Sequence, residues 1–265
     1  MSILIPFVSY MLLGACAGTL AGLFGVGGGI IIVPALVIAF ELQGMSPEIL
    51  THMAVGTSLA TIVFTSISSI RTHHQKQGVL WSIFKPLSVG IVVGAVLGVF
   101  TAGALPGAVL QMVIGIFALL IAAQMGFGLT PKASRSVPGD QVLIGVGGGI
   151  GWASAIFGIG GGSLTVPFLS WCNVRMQQAV GTSAACGLPI AVAGALTNVV
   201  EGWGNPALPD LTTGYLYWPG LVGIVLTSVI FARFGANLAH KLSPTVLKKI
   251  FALLLVVVGS KFLFF

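Results

Sequence analysis

Phe24-Gly25-Val26-Gly27-Gly28-Gly29, with Val33-Pro34 four residues beyond it, returns as Phe157-Gly158-Ile159-Gly160-Gly161-Gly162 ahead of Val166-Pro167. The two copies stand half the chain's length apart in a protein of 265 residues. A turn this rich in glycine, set in apolar sequence and present twice, reads as the mark of a duplicated membrane protein. It also marks, in each half, a place where a ligand can come close to the backbone.

Composition agrees with that reading. Mean hydropathy is +1.09. Hydrophobic residues make up 56% of the chain and charged residues 6%, against about 25% charged in soluble domains. Apolar runs of about 20 residues, each long enough to span a bilayer, recur from end to end. The 38 glycines favour close helix packing and broken helices. Cys16, Cys172 and Cys186 read as small buried hydrophobes rather than a disulfide or metal set. Leu13-Gly14-Ala15-Cys16 loosely matches a lipoprotein cleavage site, but no Lys or Arg precedes it, so the charged start of a signal peptide is missing.

Working outward from the glycine turns, each half holds five apolar segments. In the first half (residues 1–127) they cover about 3–23, 29–40, 50–70, 81–105 and 106–127. A polar linker follows at 128–140, and the second half (141–265) repeats the pattern at about 141–156, 162–171, 177–200, 214–236 and 244–264. Gly14, Gly18 and Gly22 align with Gly147, Gly151 and Ala155, a spacing of four that forms a groove for a neighbouring helix. Ala-Val-Gly-Thr-Ser occurs in both third segments, at 54–58 and 179–183. The second segment of each half is the odd member. About 12 apolar residues make roughly 18 Å of helix, too short for a hydrocarbon core of about 30 Å. The glycine turn is therefore expected partly inside the membrane, within a discontinuous helix.

Charge sets the expected orientation. Arg71 and Lys76 follow the third segment of the first half, whereas Glu201 and Asp210 follow its counterpart. Glu41 and Glu48 stand where the second half has Arg175, and the uncharged loop near residue 105 corresponds to one with Arg233 and Lys241. Equivalent loops have opposite character. The positive-inside rule then places ten of the eleven basic residues in the cytoplasm, Lys261 being the exception. This holds only if each half crosses five times, so that the second is inverted relative to the first and both termini are extracytoplasmic. The predicted fold is an all-α integral membrane protein of two inverted five-helix repeats, an architecture that recurs in secondary transporters with a site at mid-depth.

The chemistry expected there follows from the helix start. Unpaired N–H groups and the positive end of the macrodipole suit an anion. The candidate substrate-binding residues are Gly27, Gly28 and Gly29 in the first turn, and Gly160, Gly161, Gly162 and Ser163 in the second. Thr57 and Ser58, with Thr182 and Ser183, add neutral hydroxyls. No Asp or Glu lies deep in a span, so the usual proton relay is missing. No Walker motif, metal-ligand spacing or nucleophile–base pair is present. The expectation is therefore a transporter and not an enzyme, with no cofactor, no metal and no nucleic-acid partner. Its partners are the bilayer and a small anion, and oligomeric state, a homodimer included, is left open.

The paired FG-x-GGG-x₃-VP turns, each followed by AVGTS in a small ten-segment chain, resemble the sulfite exporter TauE/SafE family. The resemblance extends over the whole chain, including the basic loop with His73 and His74. It implies a plasma-membrane permease, chiefly bacterial, that exports sulfite or organosulfonates such as sulfoacetate, by alternating access. An anion channel or an importer on the same scaffold is the alternative. The resemblance carries over no site residue beyond the glycine turns and the two Gly-Thr-Ser triplets.

Overall fold

The computed structural model describes residues 4–24, 29–127, 136–239 and 244–264. Each of the ten expected segments is a helix: α1 (Leu4–Phe24), α2 (Gly29–Leu42), α3 (Pro47–Gln75), α4 (Trp81–Gly103), α5 (Gly107–Gly126), α6 (Asp140–Ile156), α7 (Gly162–Trp171), α8 (Met176–Glu201), α9 (Trp218–Ala239) and α10 (Pro244–Phe264). Local chemistry explains why α3 outruns the expected 50–70. Pro47 opens it and Glu48 sits in its first turn; proline suits a position whose N–H has no intrahelical partner, and an acid there meets the positive dipole end.

One expectation is corrected. Residues 214–217 do not begin the ninth helix. They belong to a small hairpin, β1 (Thr212–Thr213) against β2 (Leu216–Tyr217). Gly214 has φ +55° at the first position of the two-residue turn, where a hairpin needs a glycine-like backbone. Helical patterning misses it because Leu216 and Tyr217 are buried and continue the apolar run.

Among the described residues four helices, α3, α4, α5 and α8, are long and apolar enough to cross a membrane. Large apolar side chains such as Val93, Leu97, Leu120, Leu196 and Val257 are exposed on the bundle surface, as a lipid-facing wall requires. All five tryptophans (Trp81, Trp152, Trp171, Trp203 and Trp218) are also exposed, the placement favoured for residues at membrane–water interfaces. Helices α2 and α7 are short, 14 and 10 residues. At a rise of about 1.5 Å per residue, neither reaches across a hydrocarbon core of about 30 Å.

The two halves interlock. The fourth helix of each packs on the first helix of the other, giving the pairs α4–α6 and α1–α9. Glycines make both pairs close. A β-carbon on Gly147 or Gly151 would strike the backbone of Leu87 or Ile91, and one on Gly14 or Gly18 the backbone of Ile224 or Ser228. The expected groove is therefore present on α1 and α6. On α4 a second groove faces it, Gly90, Gly94 and Gly98, pressed on Ile144, Gly148 and Trp152. Without a hydrophobic force between helices in lipid, such backbone proximity supplies the packing energy.

Contacts also fix direction. Gly115 of α5 touches Gly259 and Phe262 of α10, while Gly126 lies by Ala252, so these equivalent helices are antiparallel. The central pair is antiparallel too, since Gly56, Leu59 and Ser66 of α3 meet Asn198, Gly194 and Gly187 of α8. Charge separates along the same axis. Lys261 pairs with Glu41 at 2.6 Å, and Glu201 stands against Gly103, at the end of α4. At the opposite end, Gly78, close after Lys76, rests on Gly181 near the start of α8, which follows Arg175. The bundle thus has an acidic end and a basic end.

Candidate functional site

The second glycine turn is built by two left-handed residues. Helix α6 closes with Gly158 at φ +64°, its N–H donating to Ala155 O (3.3 Å) while Ile159 N–H donates to Ser154 O (2.9 Å). This pair of bonds is the glycine-terminated helix end known as a Schellman motif. The chain then restarts at Gly161, φ +74°, whose carbonyl accepts from Leu164 N (3.1 Å) and Thr165 N (2.8 Å). Gly162 and Ser163 lead α7, so their N–H groups have no intrahelical acceptor. These two conformations explain why the turn needs glycine at those places.

Around Gly161 the lining is polar but uncharged. A β-carbon there would stand 3.4 Å from Thr165 Oγ1 and 3.6 Å from Ser154 Oγ. Both residues are fully buried, at 0% exposure. Their hydroxyls, and those of Ser163 and Ser170, have no hydrogen-bond partner. Ile190 Cδ1 would lie 2.5 Å from the same β-carbon, and Ile62 approaches Gly160. No Lys or Arg occurs in residues 50–70, 141–171 or 177–200. Burial without a partner costs about 1–3 kcal/mol per hydroxyl, and four such hydroxyls fall on this one helix–turn–helix unit.

The two turns meet. Gly29, first residue of α2, lies so close to the second turn that its β-carbon would be 2.6 Å from Gly158 O and 2.9 Å from Ile159 Cα. From there α2 runs to the acidic end, where Phe40 packs on Tyr10 and Tyr217. Helix α7 instead runs to the basic end, since Arg175 follows it and opens α8. Two helix starts thus adjoin within the bundle and diverge. Gly27 and Gly28 lie outside the described residues.

The Gly-Thr-Ser triplets have a clear structural task. Tyr217 N–H, just before α9, donates to Thr57 Oγ1 (3.0 Å), and Leu80 N–H, just before α4, donates to Thr182 Oγ1 (2.9 Å). Gly56 and Gly181 leave room for the same loops, lying under the carbonyls of Tyr215 and Gly78. Each triplet is a notch that docks the loop ahead of a fourth helix. Thr57 and Thr182 are thereby committed as acceptors. Ser58 donates to Gly158 O at 2.8 Å, tying α3 to the glycine turn, and Ser183 is buried without a partner. The residues that sequence reading passed over are Ser154 and Thr165. Their signal was available in a position-by-position comparison of the halves, because Ala21 and Ile32 occupy the matching places.

The two ends of the bundle are lined differently. At the acidic end Tyr10, Phe40 and Tyr217 form a triangle of edge-on rings with centroids 5.5–6.2 Å apart, and Gln43 donates to the Tyr10 hydroxyl. Near the start of α6 a cavity of about 510 Å³ lies against α7, lined by Val142, Val146, Phe168 and Trp171 among others.

A ten-helix chain with paired glycine turns and paired triplets matches one family model, sulfite exporter TauE/SafE, over residues 10–262. The chain belongs to that family. Among its relatives is a probable membrane transporter protein of Haemophilus influenzae, 40% identical over 94% of this chain and 95% of its own length. Others are a probable membrane transporter protein of Methanocaldococcus jannaschii, 27% identical over 97% and 94% of the two chains, and YunE of Bacillus subtilis, 24% identical over 97% of each. This family member is a membrane transporter. The family and the relatives' names are consistent with the expectation that it is not an enzyme.

Proposed function

We propose that the protein exports small sulfur-containing oxyanions, sulfite or organosulfonates such as sulfoacetate, across a bacterial plasma membrane. The observation that carries this reading is the group of buried, unpartnered hydroxyls and leading amides at the Gly161 turn. Amides and hydroxyls bind an anion without the deep well that a lysine or arginine would make, so the anion can also leave. Membership of a family named for sulfite export supports the choice of anion.

The basic end faces the cytoplasm in this reading, by the positive-inside rule. Both termini are then extracytoplasmic, and the halves form an inverted repeat about the membrane plane, which the antiparallel pairs α3–α8 and α5–α10 support. Lys261, the basic residue left on the outer side, is neutralised there by Glu41. Outward movement needs no coupling ion. A monovalent anion leaving a negative-inside cell gains about 2.3 kcal/mol per 100 mV, and a divalent one about twice that. The aromatic triangle packed at the acidic end favours a carrier that rocks open on alternate sides over a continuously open pore.

Purified protein in liposomes preloaded with sulfite, sulfoacetate, taurine, thiosulfate or sulfate tests the reading. Saturable efflux of sulfite or an organosulfonate, accelerated by the same anion on the opposite side, is the expected result. Unsaturable conductive flux would refute the carrier, and no flux of any sulfur anion would refute the substrate.

A further inference from the structure

The duplication has not kept its two turns alike. Where the second half has Ser154, Ser163 and Thr165, the first half has Ala21, Ile30 and Ile32, by the same offset along the chain that relates the glycine runs. The same scaffold therefore accepts apolar residues at these three places. Ile30 and Ile32 are buried, at 6% and 3% exposure, and belong to the main hydrophobic core. The hydroxyls are not demanded by helix packing, nor do they stabilise the helix by bonding back to it, since all three lack a partner.

Building on the anion-transport reading above, we propose that the site is one-sided: Ser154, Ser163 and Thr165 hold the oxyanion, and the first glycine turn gives it no side-chain donor. Two of the three donors are fully buried and converge on Gly161, and the third leads α7 beside two free amides. The same turn is bordered from α3 and α8 by the apolar Ile62 and Ile190. A ligand matched to this arrangement carries its oxygens on one face and an apolar remainder on the other. An oxyanion with oxygens all round, such as sulfate, would press one of them against isoleucine and lose a hydrogen bond there. The pseudo-symmetric scaffold thus moves a ligand that is itself oriented, the same head staying on α6–α7 while access changes sides.

Equilibrium binding of sulfite, methanesulfonate and sulfate to the purified full chain in nanodiscs tests this. Each hydroxyl bonded to an anion is worth roughly a tenfold change in affinity or more. Thr165→Val and Ser154→Ala should each weaken methanesulfonate binding about tenfold, Thr165→Ser should restore it, and Ile32→Ala should leave it unchanged. Wild-type protein should bind methanesulfonate more tightly than sulfate. If Thr165→Val binds like wild type, or Ile32→Ala loses as much as Thr165→Val, the one-sided site is wrong although anion binding stands. If the wild type binds none of the three anions, the transport reading and the one-sided site fall together. Retention of the melting temperature in Thr165→Val separates loss of a ligand contact from loss of fold.

Discussion

Replacing Thr57 by valine keeps the side chain's shape and removes one acceptor, the oxygen that receives Tyr217 N–H at 3.0 Å. Thr57 is fully buried and Tyr217 nearly so, at 0% and 9% exposure, so water cannot replace the lost partner cheaply. Side-chain hydrogen bonds inside membrane proteins average about 0.6 kcal/mol and reach about 1.7, while orphaning a buried donor costs about 1–3 kcal/mol. A loss of roughly 1–2 kcal/mol is therefore expected. For a chain of about this size that lowers the midpoint by roughly 2–8 °C. Thermal unfolding in detergent, followed by tryptophan fluorescence, measures it, and Trp218 sits beside the broken bond. Thr57→Ser keeps the oxygen and should recover most of the loss. Thr182→Val, which releases the less buried Leu80 N–H, should cost less. The reasoning fails if Thr57→Val melts with the wild type, or if Thr57→Ser is as damaged as Thr57→Val. Either result would mean that the triplet is not a docking notch.

Gly94→Ala should be the more damaging of two matched changes, because its new methyl lands on the carbonyl of Gly148 and forces α4 from α6. Gly149→Ala meets nothing within 4 Å and should be neutral or slightly stabilising, as alanine favours helix by up to about 1 kcal/mol; comparable melting temperatures for the two would contradict the packing account. A cysteine introduced at Gly44, exposed in the turn after α2, should react with a membrane-impermeant maleimide added outside intact cells, in a background lacking Cys16, Cys172 and Cys186. Reaction only after the cytoplasmic face is opened would reverse the proposed orientation.

Much of this protein is legible in its letters. Apolar length separates α3, α4, α5 and α8 from soluble helices, and Phe-Gly-x-Gly-Gly-Gly and Ala-Val-Gly-Thr-Ser each occur twice. Charge alternation between equivalent loops points to antiparallel halves, and the contacts of α5 with α10 run that way. The helical, apolar character is readable because it rests on a property that is local and periodic along the chain. The hairpin at Thr212–Tyr217 was not legible, since its residues are as apolar as the helix that follows and only Gly214 hints at a turn.

The repeated motifs do not say what their hydroxyls contact, and tertiary structure supplies those contacts. Thr57 and Thr182 look alike in sequence to any anion-binding hydroxyl, yet each accepts a backbone N–H from residues 160 and 102 positions away. Ser154 and Thr165 look like ordinary helix residues, yet they converge on Gly161 with no partner of their own. A hydroxyl's role depends on what stands opposite it across the packed bundle, and that neighbour comes from a distant part of the chain. Sequence alone determined a helical membrane scaffold that carries a glycine-rich run twice. Only the packing of α3, α6, α7 and α8 decided which hydroxyls hold a distant backbone N–H and which are buried without a partner.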